Sequence, residues 1–209
     1  MLLEARTGPA VSSDGAAGET RRGRFNELIT NDLGLGRYAE AVLRGQVFWA
    51  STQSGIALTT TLSTTATGFI LTNPVGSGKN LLLLDTVVAL TSAPAGVATL
   101  AWAVQFNSPT VTAVTHTTPL TVRPALLSGG GAAGGGVGLA DSAATLPNTP
   151  VALRAIPGGP VASGTLNAAF IRDEVSGLVI MAPGCSINTF ALTTAISAVI
   201  SVWWAEVVA

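Results

Sequence analysis

Charged residues are scarce in this sequence. Only 10% of its 209 residues are Asp, Glu, Lys or Arg, whereas an ordinary soluble domain has about 25%. The formal net charge is −1, so we expect no global field that attracts nucleic acid or an anionic membrane, and neither is expected as a partner. A protein with so little charge is poorly protected against self-association. We therefore expect copies of the chain, or a larger shell, to cover much of its surface.

Cysteine and histidine are each present once. A single cysteine, Cys185, excludes an internal disulfide framework and a cysteine-rich metal site, and we expect it in the core or in a loop. His116 has no second histidine and no carboxylate near it in the sequence, so we expect it at a strand end or on the surface rather than in a metal site. Asp173 and Glu174 fit a charged turn better than an acid–base pair. We expect no catalytic residue, no metal and no cofactor.

The stretch NPVGSGKN, residues 73–80, is similar to a phosphate-binding loop in its glycines and in Lys79. The phosphate-loop pattern, however, requires a glycine where Asn73 stands and a hydroxyl where Asn80 stands. It also requires a helix after the loop, whereas residues 81–90 have the bounded, apolar character of a strand. We predict a turn between two strands, with a structural or surface role for Lys79. A hydrolase or nucleotide-binding protein that uses Lys79 is kept as an alternative.

Charge is concentrated at the start of the chain, where 12 of the 21 charged residues fall within the first 44. Residues 1–45 combine a small, polar, Gly-rich stretch with two short helical patterns that are separated by the breaker LGLG. Isolated helices of this length are marginal in water. We predict an extended N-terminal arm with short helices, which is ordered by docking onto its own body, a neighbouring subunit or a larger scaffold.

The predicted arm, residues 1–45, supplies the candidate interface residues. Its apolar side chains are expected to bury into the docking partner, while its basic side chains pair with carboxylates at the rim of the contact. Acidic residues flank the arginines closely, which argues against a phosphate-binding surface. The predicted docking residues are Arg21, Arg22, Arg24, Phe25, Leu28, Ile29, Arg37, Tyr38 and Arg44.

Residues 46–209 consist of strand-length apolar and Thr-rich runs that are punctuated by Gly, Pro and Asn. This spacing predicts an all-β body, an antiparallel sandwich or barrel. Runs 80–90 and 97–106 are apolar on both faces, as expected of strands that lie between a core and an oligomer interface. The predicted strands are 46–50, 55–62, 67–72, 80–90, 97–106, 110–116, 150–156, 164–171, 177–182, 185–192 and 194–208.

Three further segments complete the interpretation. Residues 128–138 are Gly-rich and are predicted to form a long mobile loop, with close backbone approach between subunits as the alternative. The uncharged run 190–205 is shorter than the roughly 20 residues of a membrane-spanning helix, and its alternation predicts a strand. The N-terminus lacks the apolar stretch of a secretory signal. We therefore expect synthesis and retention in a reducing cytoplasm.

Four segments in a fixed order carry a family resemblance: GRYAEAVLRGQVFWASTQSGIALTTTLSTTATGFILTNPVGSGKNLLLLDTVVAL, a Gly/Ala-rich middle, VIMAPGCSINTFALTT and the final SVWWAEV. In order and texture, residues 36–209 resemble structural proteins of tailed bacteriophage virions, of the capsid cement or decoration type. The resemblance implies a jelly-roll-like β-sandwich without enzymatic activity, assembled as a homotrimer on an icosahedral head.

The same resemblance implies the partners and the location of the protein. The major capsid protein or other virion proteins are the expected partners, and the expected location is the virion, assembled in the bacterial host cytoplasm. Tail, collar and fibre proteins share this β-rich, charge-poor character. A tail, collar or fibre-associated module whose exposed loops recognise a host surface glycan is therefore the alternative.

Overall fold

A computed structural model describes residues 37–106, 113–127, 135–156 and 170–209, together with the backbone of two short strands, β1 (Ala5–Arg6) and β2 (Thr20–Arg21). The contacts within the chain divide it into two compact units, Met1–Glu40 and Ala41–Ala209. In the first unit, β1 and β2 pair in parallel.

One short helix, α1 (Ala39–Leu43), precedes the thirteen remaining strands of the described part. These strands are β3 (Val47–Ser51), β4 (Ile56–Ala57), β5 (Thr65–Thr72), β6 (Lys79–Leu90), β7 (Thr99–Phe106), β8 (Thr115–Leu120), β9 (Arg123–Pro124), β10 (Leu139–Thr145), β11 (Val151–Ala155), β12 (Phe170–Glu174), β13 (Ile180–Met181), β14 (Cys185–Leu192) and β15 (Ser197–Val208).

The thirteen strands form two antiparallel sheets. Sheet I has the order β11-β7-β14-β5-β10-β8. Sheet II has the order β12-β6-β15-β3-β9, with β13 beside β6 and β4 beside β15. Side chains of both sheets form one core, in which Phe69 and Trp102 of sheet I join Ile200 and Trp204 of sheet II. The predicted all-β class is confirmed, with two antiparallel sheets as in a β-sandwich.

Strand β15 shows how the sequence pattern produces the core. Ala198, Ile200 and Val202 are buried in it, whereas the alternating residues Val199 and Ser201 reach the surface. Successive side chains of a strand point to opposite faces, so an alternating sequence buries one face only. The prediction that this C-terminal run is a strand is confirmed. No helix in the described residues is long and apolar enough to span a bilayer.

The predicted strands differ from the observed ones at a few places. Run 55–62 contributes only the two residues of β4. Strand β8 begins at Thr115 and continues to Leu120, later than the predicted 110–116. Strand β10 was not predicted, because its sequence LADSAAT has no β-branched residue before its last position. Hydrogen bonding to β5 on one side and to β8 on the other stabilises β10 despite this weak propensity.

Two interpretations of the body are wrong. Asp173 and Glu174 lie in β12 and not in a turn; Asp173 is buried and Glu174 is exposed, since they point to opposite faces. The outer face of run 97–106 is not left open for an oligomer interface. Ala101 and Ala103 on that face pack against Phe190, with Leu62 of the same chain beside them.

Candidate functional site

One end of the sandwich collects the termini of strands from both sheets. Thr72, at the end of β5, is paired with Leu139, at the start of β10. In sheet II, Val208 at the end of β15 is paired with Lys79 at the start of β6. The connection 73–78 joins β5 to β6 and so places these strand termini at the same end. We call this end the apolar end.

Exposed apolar side chains are concentrated at the apolar end. Of the thirteen large apolar side chains that are exposed in the described residues, seven lie there, whereas the opposite end has only Val97 and Leu192. Val208 and Leu127 are 85% and 80% exposed, and Phe106 is 71% exposed. A local concentration of this kind is typical of interaction surfaces. The seven side chains are Leu43, Val75, Phe106, Leu126, Leu127, Leu139 and Val208.

The stretch 73–80 forms a structured connection at this end. The fully buried Asn73 donates from Nδ2 to the carbonyl oxygens of Lys79 and Met181, both at 2.8 Å. Gly76 and Gly78 have φ values of 76° and 67°, which glycine adopts without strain. The predicted turn is confirmed, and the residues after Lys79 form strand β6 as predicted.

Glu206 organises the same end from inside. Its side chain is fully buried and accepts hydrogen bonds from the backbone N–H groups of Val137 and Gly138 at 2.9 Å, and from Trp204 Nε1 at 3.2 Å. Lys79 Nζ lies 3.3 Å from Glu206 Oε2 and is 35% exposed. Lys79 thus compensates a buried carboxylate, in agreement with the predicted structural role.

Glu206 also anchors the end of the Gly-rich segment. A Cβ atom on Gly136 would lie 2.9 Å from Glu206 Oε1, and one on Gly138 would lie 3.0 Å from Trp204 Nε1. Residues 135–138 are therefore held against the body by glycines that permit close approach. The prediction of a mobile loop is wrong for these four residues, and residues 128–134 lie outside the described part. The alternative interpretation of this segment was close backbone approach between subunits; the close approach observed here is to Glu206 and Trp204 of the same chain.

The few charges of the body neutralise one another. Seven of its nine charged residues take part in four pairs: Lys79–Glu206, His116–Asp141, Arg154–Asp173 and Arg172–Asp85. Three of the acidic side chains in these pairs, those of Glu206, Asp141 and Asp173, are at least 98% buried. The described body therefore presents little uncompensated charge to a partner.

His116 has a carboxylate partner that sequence inspection missed. Its Nδ1 atom lies 2.5 Å from Oδ2 of Asp141, which is 25 residues away and fully buried. Oδ1 of Asp141 has no hydrogen-bond partner in the described part. Burial raises the pKa of the Asp141 carboxyl, while the hydrogen bond and the charge interaction with His116 oppose the rise. No group of three or more His, Cys, Asp or Glu residues in the described ranges is placed to hold a metal ion.

A third buried carboxylate connects the edges of the two sheets. Asp173 of sheet II accepts a hydrogen bond from Trp102 Nε1 of sheet I at 3.1 Å. It also forms an ion pair with Arg154, which lies at the edge of sheet I. Trp102 and Asp173 are 71 residues apart. This separation explains why no local sequence signal identified the contact.

The predicted docking residues fall mostly outside the described part. Arg22, Arg24, Phe25, Leu28 and Ile29 lie there entirely, and of Arg21 only the backbone in β2 is described. Arg37 and Tyr38 form a turn, with the guanidinium carbon 5.8 Å from the ring centroid. Arg44 is exposed directly after α1. Their docking role stays a prediction.

Comparison of the chain with protein-family profiles, with curated proteins and with solved structures finds no match. The functional interpretation therefore depends on the apolar end, on the charge distribution and on the sequence resemblance described above.

Proposed function

We propose that this chain is a non-enzymatic structural protein of a bacteriophage virion, which binds and stabilises the capsid as an oligomeric cement or decoration protein. The concentration of exposed apolar side chains at one end of a charge-poor body is the observation that carries the proposal. A partner that covers Phe106, Leu127 and Val208 removes apolar surface from water, and each fully buried side chain of this size contributes about 1.5–3 kcal/mol.

The proposal includes a jelly-roll-like path of the chain and a homotrimeric assembly. Support for this path comes from connections that pass between the sheets: β5 to β6, β6 to β7 and β14 to β15 each change sheet. Greek-key and jelly-roll folds use such crossings, whereas meanders join neighbouring strands of one sheet.

In the proposed arrangement the arm attaches the oligomer to the capsid, and its short helices form on docking. The apolar end then serves contacts between copies of the body. The arm is assigned to the capsid because over half of the charged residues lie in it. Charges of this kind orient a protein as it meets its partner more than they strengthen the complex.

The proposal is tested with particles that lack this chain. Purified full-length protein is added back and bound copies are counted by quantitative mass spectrometry. We expect on the order of hundreds of copies per particle, the number expected of a cement protein on an icosahedral head. A variant without the arm, residues 1–45, is expected to remain folded and oligomeric but to lose binding.

Two matched substitutions refine this test. Phe25→Ala removes an apolar anchor and Arg22→Ala a rim charge, so the first is expected to weaken attachment more. Full occupancy by the truncated variant would move the attachment surface to the body. Failure of the full-length chain to bind particles would refute the proposed function.

A further inference from the structure

The four tryptophans of this chain fall into two pairs with different surroundings. Trp102 and Trp204 are buried in the core, and each donates its indole N–H to a buried carboxylate. Trp49 and Trp203 are only partly buried, and within the described part of the chain their indole N–H groups have no hydrogen-bond partner. A buried indole N–H is normally paired within the protein. The unpaired N–H groups of the partly exposed Trp49 and Trp203 can instead donate to solvent or to a ligand.

Trp49 and Trp203 lie at the centre of a row that crosses sheet II. Register places Arg123 opposite Trp49, Trp49 opposite Trp203, Trp203 opposite Asp85, and Asp85 opposite Glu174. These five residues, which we call the tryptophan row, are all partly or fully exposed. Four strand spacings of about 4.8 Å give the row a length of about 19 Å.

A second row on the same face has polar residues on three of its four strands, with Val87 between Ser201 and Arg172. Ser51 and Ser201 are paired on neighbouring strands, and their hydroxyl oxygens are 2.9 Å apart. Arg172, two residues from Glu174 on β12, lies with its guanidinium 2.7 Å from Asp85. Hydroxyl groups and charged groups therefore border the two indoles.

We propose that the tryptophan row binds an oligosaccharide that lies across strands β9, β3, β15 and β6. One face of a sugar ring presents C–H groups, which pack against an aromatic ring, and its rim carries hydroxyls that both donate and accept hydrogen bonds. Trp49 and Trp203 supply two aromatic rings and two N–H donors. Asp85 and Glu174 add carboxylate oxygens in the same row, and these oxygens also accept hydrogen bonds within the chain, from Arg172 and from Ser176 respectively. This site is separate from the apolar end and does not depend on the proposed function.

Other ligand classes fit the tryptophan row less well. Arg123 and Arg172 are balanced by Asp85 and Glu174, so this face lacks the basic excess of a surface that binds nucleic acid. The core of a protein–protein interface is depleted in charged residues, whereas this row has a charged side chain on both sides of the indoles. A ligand with many hydroxyls and no strong charge satisfies both the aromatic and the polar groups.

The test uses the full-length chain and three uncharged probes: cellohexaose, chitohexaose and maltohexaose. Binding is followed by tryptophan fluorescence and by isothermal titration calorimetry. We expect saturable binding of at least one probe, and about a tenfold loss of affinity in Trp49→Ala and in Trp203→Ala. Phe106→Ala, which removes an exposed aromatic ring at the apolar end, is the matched control and is expected to bind normally.

Two further variants separate binding from folding. Trp203→Phe keeps an aromatic ring and is expected to retain part of the affinity, and Glu174→Ala removes an exposed acceptor and is expected to weaken binding with an unchanged unfolding midpoint. The proposal is overturned if none of the three probes binds at millimolar concentration, or if the double variant Trp49→Ala/Trp203→Ala binds as well as the original chain. The proposal is also overturned if the double variant loses self-association while the original chain binds no saccharide. That result would assign the row to a protein interface.

Discussion

Glu206 is the residue on which the order of the apolar end depends most. Its buried carboxylate accepts hydrogen bonds from two backbone N–H groups and one indole, and it pairs with Lys79. Hydrogen bonds to a charged acceptor contribute more than neutral ones, and the donors are costly to leave unpaired in the interior. Glu206 therefore joins β15, β6 and the end of the Gly-rich segment.

We predict that Glu206→Ala destabilises the fold by about 3 kcal/mol or more, because it leaves buried donors without an acceptor. Lys79→Ala is expected to cost less than Glu206→Ala, since Lys79 is 35% exposed and the backbone and indole donors to Glu206 remain in place. Urea unfolding followed by tryptophan fluorescence measures both. Equal losses in the two variants would contradict the assigned role of Glu206.

Lys79 also provides a test of the nucleotide-binding alternative. Its ammonium group lies beside Glu206 and the following residues form strand β6, whereas a phosphate loop leads into a helix. We expect no ATP binding by calorimetry, in the original chain or in Lys79→Ala. ATP binding that disappears in Lys79→Ala would overturn this prediction.

Asp141 is expected to make stability depend on pH. Burial raises the pKa of its carboxyl in the folded state, so the folded chain binds this proton more tightly than the unfolded chain does. The stabilisation is complete below the ordinary carboxyl pKa of about 3.9 and is lost as pH rises through the raised pKa. Above the raised pKa the buried, ionised carboxylate is a cost to the fold.

We predict that Asp141→Asn removes this pH dependence. Relative to the original chain, the variant should become more stable to unfolding as pH rises from 4 to 7. Urea unfolding at several pH values measures this difference, and Ser142→Ala serves as a control on the same strand that does not titrate. Parallel pH profiles for Asp141→Asn and the original chain would contradict the prediction.

At the scale of the element, β12 has two different faces with different consequences for stability. Asp173 is buried and contacts Trp102 and Arg154 across the sandwich. Its neighbour Arg172 is exposed and pairs with Asp85 on the outer face. The first contact joins two sheets in the interior, and the second joins two adjacent strands in water.

We predict that Asp173→Ala costs about 3 kcal/mol or more, because it leaves an arginine and an indole N–H without their partner. Arg172→Ala is expected to cost about 0–1 kcal/mol, as for an exposed ion pair. Chemical unfolding of the two variants compares adjacent positions of one strand. Similar midpoints would show that the contact between the sheet edges is not important for stability.

At the scale of the whole molecule, the distribution of exposed apolar side chains predicts self-association. Among the described residues, the apolar end has seven such side chains, and the opposite end has two. A stable oligomer of this kind requires an interface of about 2,000 Å² or more. A monodisperse monomer at micromolar concentration in light scattering would contradict this prediction.

The double variant Phe106→Ser/Leu127→Ser is expected to shift the oligomer toward monomers, because it replaces two of the most exposed apolar side chains at the apolar end. Val97→Ser/Leu192→Ser makes the same chemical change at the opposite end and should leave the oligomer intact. Light scattering over a range of protein concentrations compares the two. An equal effect of both variants would show that the apolar end has no special role.

Local patterns in the sequence determined the all-β class, the C-terminal strand and the turn at 73–80, since strand periodicity and turn chemistry depend on neighbouring residues. The Ala-rich β10 escaped prediction because pairing on both sides stabilises it. Only the tertiary structure decided the contacts of His116 with Asp141, of Trp102 with Asp173 and of Glu206 with Val137, which span 25, 71 and 69 residues. Strand order and register bring such residues together, and these depend on non-local pairing that no short stretch of sequence specifies.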